Sequence, residues 1–145
     1  MQFYWMRRFA VVATLMLAVG CKPTQPRAYS GNAELRFVRA TPTQLQFRIS
    51  NQSASVLRFR GSRGDDQGSD PWDVLMECKR ADSADWDVKP PAITDGNSED
   101  IQVAPGEQLL IRVSNDFASG YKEGHCRVTL WMRDRMELKS DEFEP

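Results

Sequence analysis

Histidine occurs once in this 145-residue sequence, at His125, and cysteine three times, at Cys21, Cys78 and Cys126. That scarcity removes most metal and nucleophile chemistry. Zinc sites take three or four protein ligands, and one imidazole beside two paired cysteines is too few. A Ser or Cys nucleophile needs a base, most often His; His125 adjoins Cys126 on an alternating stretch, so their side chains leave opposite faces of a strand. A copper site built from Met132, Met136 and His125 fails on the same phase argument, and both methionines read as fillers of core gaps. No cofactor is expected.

Long apolar runs and charge of one sign are also missing. The uncharged run Phe9 to Gly20 has twelve residues, whereas a helix needs about 20 to cross a bilayer. Lys and Arg number 19 against 20 Asp and Glu, interspersed, so the net balance leaves no footprint for nucleic acid or an acidic lipid surface. No repeat of 20 to 50 residues appears, and no stretch has a convincing helical period.

What the N-terminus does contain is Arg7 and Arg8, the apolar run, and then Ala18-Val19-Gly20-Cys21 followed by KPTQPRAYSG. A basic start, a short apolar segment and small residues before a cut make a secretion signal. The four residues ending in Cys21 resemble the lipobox of bacterial lipoproteins, although Ala18 stands where that family usually carries Leu, Val or Ile. The resemblance covers residues 1–21. It implies cleavage before Cys21, acylation of its sulfur and a membrane anchor there, and Lys22 in place of Asp favours the outer membrane's periplasmic face over the inner membrane. Several acyl chains make a lasting anchor because each buried methylene adds about 0.8 kcal/mol. The alternative is a soluble periplasmic protein with a spare cysteine. Residues 21–31 read as lipidated cysteine and flexible tether, leaving residues 32–145 as one domain. Removing residues 1–20 takes two arginines and no acid, so 17 basic residues face 20 acidic ones, a balance of −3.

From Ala33 onward apolar residues recur at every second position, the period of a strand with one face buried. Leu45, Phe47 and Ile49 show it best. Ala33, Leu35 and Phe37 precede them; Leu57 and Phe59, then Trp72, Val74, Met76 and Cys78, follow. Trp86 with Val88 reads as a short partner strand. Further on come Ile101 and Val103, then Leu109, Ile111 and Val113, then Cys126, Val128, Leu130 and Met132, and last Met136 and Leu138. Pro105-Gly106 suits a type II turn. A three-residue loop, Arg133-Asp134-Arg135, places Leu130 opposite Leu138 and Met132 opposite Met136, while a two-residue loop would turn the second strand inside out.

Seven to nine short antiparallel strands without a helix predict an all-β, immunoglobulin-like β-sandwich, with a small β-barrel as the alternative. The immunoglobulin signature is incomplete, since Gly124 occupies the position two before Cys126 where a tyrosine corner would put Tyr. Cys78 and Cys126 both fall on inward phases, and an oxidising compartment would join them. The chain-entropy argument gives such a closure roughly 4 kcal/mol.

Candidate chemistry is thin. Asp65, Asp66 and Asp70 in GSRGDDQGSDP could serve a hydrolase or a cation, but adjacent acids rarely flank a bond, and Gln67 and Ser69 break calcium-loop spacing. A solvated loop is the plainer reading. The outward phases hold five apolar residues, Val38, Val56, Leu75, Leu110 and Trp131. Gathered on one sheet they would form a protein-binding patch anchored by Trp131; scattered or covered, they would mean nothing. The expectation is a lipid-anchored, non-catalytic protein-binding module with an envelope or periplasmic protein as partner. It could be an inhibitor or immunity protein, an accessory subunit of an envelope assembly, or less readily a carboxylate hydrolase.

Overall fold

The computed structural model describes residues 27–28, 31–64, 68–91 and 98–145. The leader, Cys21, most of the tether, Asp65 and Asp66 lie outside the described residues. No described helix is long and apolar enough to cross a membrane.

Among the described residues eleven strands form two sheets, which do not close into a barrel. They are β1 (Arg27–Ala28), β2 (Ala33–Ala40), β3 (Gln44–Asn51), β4 (Leu57–Arg63), β5 (Ser69–Pro71), β6 (Val74–Lys79), β7 (Asp87–Lys89), β8 (Glu99–Val103), β9 (Gln108–Ser114), β10 (His125–Trp131) and β11 (Met136–Lys139). One sheet has the order β1-β11-β10-β6-β7, the other β2-β3-β9-β5-β4-β8. We call them the CFG sheet and the ABE sheet, because their long strands sit where immunoglobulin domains carry those letters. β2, β3, β9 and β8 take the places of A, B, E and D, with β4 and β5 inserted between the last two. On the other sheet β6, β10 and β11 take those of C, F and G, with β7 at C′.

Eight strands have four or more residues, within the expected seven to nine; the other three have two or three residues each. Two of these short strands bring the parallel pairings, β1 with β11 and β5 with β9. β1 falls inside the stretch read as tether, so the chain enters the fold beside β11.

The apolar phases meet between the sheets. Leu45, Phe47, Ile49, Leu57, Phe59, Ile101, Ile111, Val128 and Leu130 are buried, as one buried face per strand requires. Phe143 joins them from a charged tail, stacked on Phe37 at 4.4 Å and edge-on to Phe47 at 5.3 Å. Buried Asn51 ties the loop after β3 to the turn after β8. Its amide donates to the carbonyls of Ser55 and Val103, both at 2.8 Å, and its own carbonyl accepts from the Gly106 N–H at 2.7 Å.

Both turn expectations hold. The Glu107 N–H donates to the Ala104 carbonyl at 3.0 Å, and Gly106 has φ 81°, the positive angle a type II turn places at its third residue. In the other hairpin Leu130 opposes Leu138, and the Met132 N–H donates to the Met136 carbonyl at 2.8 Å. Arg133-Asp134-Arg135 is the loop, closed by a bond from the Arg135 N–H to the Met132 carbonyl at 3.1 Å, with Arg135 at φ 61°. A type I turn followed by a left-handed residue is the usual three-residue solution.

Cys78 and Cys126 form a disulfide, but not the immunoglobulin one. That bridge joins B and F across the two sheets, whereas here the cysteines are register partners on adjacent strands β6 and β10. Cys126 exchanges both backbone bonds with Phe143, which makes Cys78 its non-hydrogen-bonded neighbour, the pairing with the closer Cα approach. The Cα atoms are 4.1 Å apart. The missing corner tyrosine has a steric reason: a Cβ at Gly124 would overlap the Lys79 carbonyl oxygen. Tyr121 instead sits in a 3₁₀ turn, Ala118–Tyr121, packs on Phe117 at 5.2 Å and donates its hydroxyl to Asp87 at 2.6 Å. That bond holds the phenol above its usual pKa.

Candidate binding face and its surroundings

The five outward apolar residues do not form one patch. Leu75 and Trp131 project from the CFG sheet; Val38 and Leu110 project from the ABE sheet on the far side of the molecule, and Val56 precedes β4 at its margin. Val38 is outward for a local reason. Phe37 pairs with Phe47 and Arg39 with Gln46, so Val38 is the extra residue of a β-bulge, left unpaired as bulged residues are.

On the CFG sheet the register builds the outer face row by row. Val88, Glu77 and Arg127 share one row; Leu75, Thr129 and Lys139 share the next; Trp131 and Glu137 share the last. Val88 opposes Glu77 and is 52% exposed. The reason is that β7 is an edge strand whose register with β6 turns Val88 outward.

Trp86, just before β7, lies under two cations: the Arg127 guanidinium is 4.1 Å from its ring centre and the Lys79 ammonium 4.5 Å. Arg127 also donates two hydrogen bonds to Glu77, at 2.8 and 2.9 Å. The bidentate bond holds the Glu77 carboxyl below the usual glutamate range, against burial that pushes it the other way. Trp131 donates its indole N–H to Glu137 at 3.2 Å. Thr129, although in the outward phase, is only 1% exposed, and its hydroxyl has no hydrogen-bond partner among the described residues.

This face therefore offers Trp86, Trp131, Leu75 and Val88 around an Arg127–Glu77 pair that is already joined, with Lys139 and Glu137 as further charges beside them. A partner can bury the apolar groups over that pair without separating its two ions. Alternation shows Trp86 and Val88 as a short partner strand but not which side of it is wet. The signal that could have found them is the brevity of the strand, flanked by ADSAD and KPPA.

Elsewhere the chemistry is limited. A cleft of about 340 Å³ opens beside the crossover from β5 to β6, with Val74, Met76 and Val113 among its apolar lining residues and Asp70, Arg112 and Lys89 among its polar ones. Asp70 accepts from Arg112 at 2.9 Å. It is an ion-pair partner held on a strand rather than part of a solvated loop, because Gly61–Arg63 and Ser69–Pro71 pair as strands. Among the described residues Asp70 is the one carboxylate lining that cleft.

Cys126 is consumed by the disulfide, and His125 opposes Lys79 at one end of β10. Met132 lies seven positions along the chain, about 23 Å in an extended strand. Among the described residues no group of three or more His, Cys, Asp or Glu could hold a metal ion. No protein-family model, no curated protein and no solved structure matches this chain.

Proposed function

We propose that the protein is a lipid-anchored envelope protein, held through Cys21 at the periplasmic face of the outer membrane, that acts without catalysis as a protein-binding module. An inhibitor or immunity protein that covers part of an incoming periplasmic toxin or hydrolase is the reading we prefer. An accessory subunit of an envelope assembly is the second, favoured by the open CFG face, which would serve a lasting neighbour equally well.

The observation that carries the binding role is the outer CFG face. Two tryptophans, Leu75 and Val88 surround an Arg127–Glu77 pair that is already satisfied. Aromatic anchors of this kind dominate binding energy in protein interfaces, and the Arg127–Glu77 pair beside them, already 28% and 14% exposed, has little hydration left to lose. The N-terminal lipobox pattern supports the location.

Two measurements test these parts separately. Full-length protein is captured from detergent-solubilised membranes with wild type and with Trp131→Ala as bait. Loss of a partner band with the variant is expected, and equal recovery overturns the face. Mass spectrometry of the N-terminal peptide is expected to show a chain beginning at acylated Cys21; an unmodified thiol overturns the anchor.

A further inference from the structure

The opposite face gathers what composition conceals. Outward on β2, β3 and β9 stand Arg36, Arg39, Arg48 and Arg112. Arg36 and Arg48 are directly opposite each other across the β2–β3 ladder, an arrangement that like charges disfavour. Two carboxylates sit among the four. Glu34 lies 2.8 Å from Arg36, and Asp70 pairs with Arg112. Arg39 donates to the Gln46 amide oxygen at 2.8 Å rather than to a carboxylate, and Arg48 has no ion-pair partner among the described residues.

Four arginines and two acids give this face +2. The mature chain totals −3, so everything else carries −5. Positive charge is thus concentrated on these three strands although the chain as a whole is net negative.

We propose that this outer face of β2, β3 and β9 lies flat on the anionic headgroups of the membrane to which the chain is anchored, with Arg48 at the centre of the contact. The inference rests on the anchor at Cys21. Headgroups fit better than an acidic protein for two reasons. First, Arg27, where the first described strand begins, is six positions after Cys21, a reach of at most about 21 Å. The chain enters beside Met136, runs parallel to β11, and continues directly into β2, which meets the end of β11 at the Leu35–Ser140 bridge, so the strand bearing Arg36 and Arg39 is the first long strand after the tether. Second, Leu110 stands beside Arg48 and the bulged Val38 is 41% exposed. Cations interleaved with aliphatic groups suit the boundary between phosphates and acyl chains. The tryptophan-bearing face is then turned away from the membrane, toward partners.

The test uses the full lipidated chain in vesicles of phosphatidylcholine alone and in vesicles with about a third phosphatidylglycerol, treated with an arginine-directed glyoxal and mapped by peptide mass spectrometry. Arg36, Arg39 and Arg48 are expected to react roughly fivefold or more slowly on the anionic vesicles, given the attraction of each basic residue to such a surface. Arg80, exposed just beyond the end of β6 on the CFG sheet, serves as the reference and is expected to react equally on both. Molar salt, with a Debye length of about 3 Å, is expected to erase the protection. Equal rates on both vesicles overturn the proposal, as does equal protection by inorganic phosphate on phosphatidylcholine, which would mean an ion site instead of a surface. Anchoring is read separately: a chain washed off by molar salt lacks the anchor, whatever the low-salt protection shows.

Discussion

On one side of this sandwich an arginine is folded away, and on the other side arginines stand in the open. Arg127 of the CFG face holds Glu77 through two bonds and covers Trp86. The side chains of that ion pair are 28% and 14% exposed, against 69% and 52% for Arg36 and Glu34 on the ABE face. The same residue type thus serves cohesion on one sheet and leaves its charge available on the other. The difference arises from neighbours: an aromatic ring and a bidentate acid in one case, a second arginine in the other. A surface whose ions are already satisfied can be desolvated by a protein. A surface with surplus cations is better matched to something anionic that stays hydrated.

The largest test of the contrast concerns the disulfide, which staples the CFG sheet alone. Cys78→Ser is expected to cost roughly 4 kcal/mol, the chain-entropy value for a closure of this length, and to lower the melting temperature by well over ten degrees. Hydrogen exchange then shows where the loss falls. Amides of β6 and β10 are expected to lose protection first, while β3 and β9, which pair over seven residues, keep theirs longer. Uniform loss would mean that the two sheets open as one unit.

Next comes the pair of glutamates. Glu77→Gln leaves Arg127 partly buried without its acid and is expected to cost about 1 to 2 kcal/mol, whereas Glu34→Gln on the exposed pair is expected to change nothing measurable. The pH dependence gives the sign. The Glu77 carboxyl is depressed in the folded state chiefly by its hydrogen bonds from Arg127, so its contribution is fully present above the ordinary glutamate value near 4.3. It disappears as pH falls through the lower folded value. Wild type should therefore lose stability on acidification below about pH 4.5 more steeply than Glu77→Gln. Parallel curves would show that the ion pair is not what holds that face.

Much of this architecture was written in alternation. Leu45, Phe47 and Ile49 announced a half-buried strand, and the apolar match of Leu130 with Leu138 chose the hairpin loop. Pro105-Gly106 carried its turn in the chemistry of two residues. A period of two, however, says which side of a strand is wet and nothing about which strand lies beside it. Hence Leu110 was grouped with Leu75 and Trp131, although topology sets it in an arginine field on the opposite sheet. Hence also Arg36, Arg48 and Arg112, far apart in a chain of balanced charge, gave no hint of meeting. β5 escaped because Ser69-Asp70-Pro71 has no apolar side chain to alternate; its place comes from pairing with β4 and β9. Phe143 was hidden for a similar reason, as one aromatic in an acidic tail whose role depends on Phe37 and Phe47.

The smallest effect compares the turns that serve each sheet. Both need one residue in the left-handed region: the turn after β8 supplies Gly106 at φ 81°, and the β10–β11 hairpin supplies Arg135 at φ 61°. A side chain with a Cβ is strained there by about 1 kcal/mol, and glycine is not. Arg135→Gly should therefore stabilise the protein by up to about 0.5 kcal/mol, the relief of strain being partly offset by the greater freedom glycine gives the unfolded chain. Gly106→Arg should destabilise it by about 1 kcal/mol or more, since Gly106 has open space around its Cα and only its backbone angle resists a side chain. Denaturant midpoints of the two single variants and the double exchange decide the matter. If the swap is near neutral while each single change moves the midpoint in its own direction, backbone strain alone separates the two turns. A loss at Arg135→Gly would instead mean that this arginine, on the CFG side, makes a contact strong enough to outweigh its own strain.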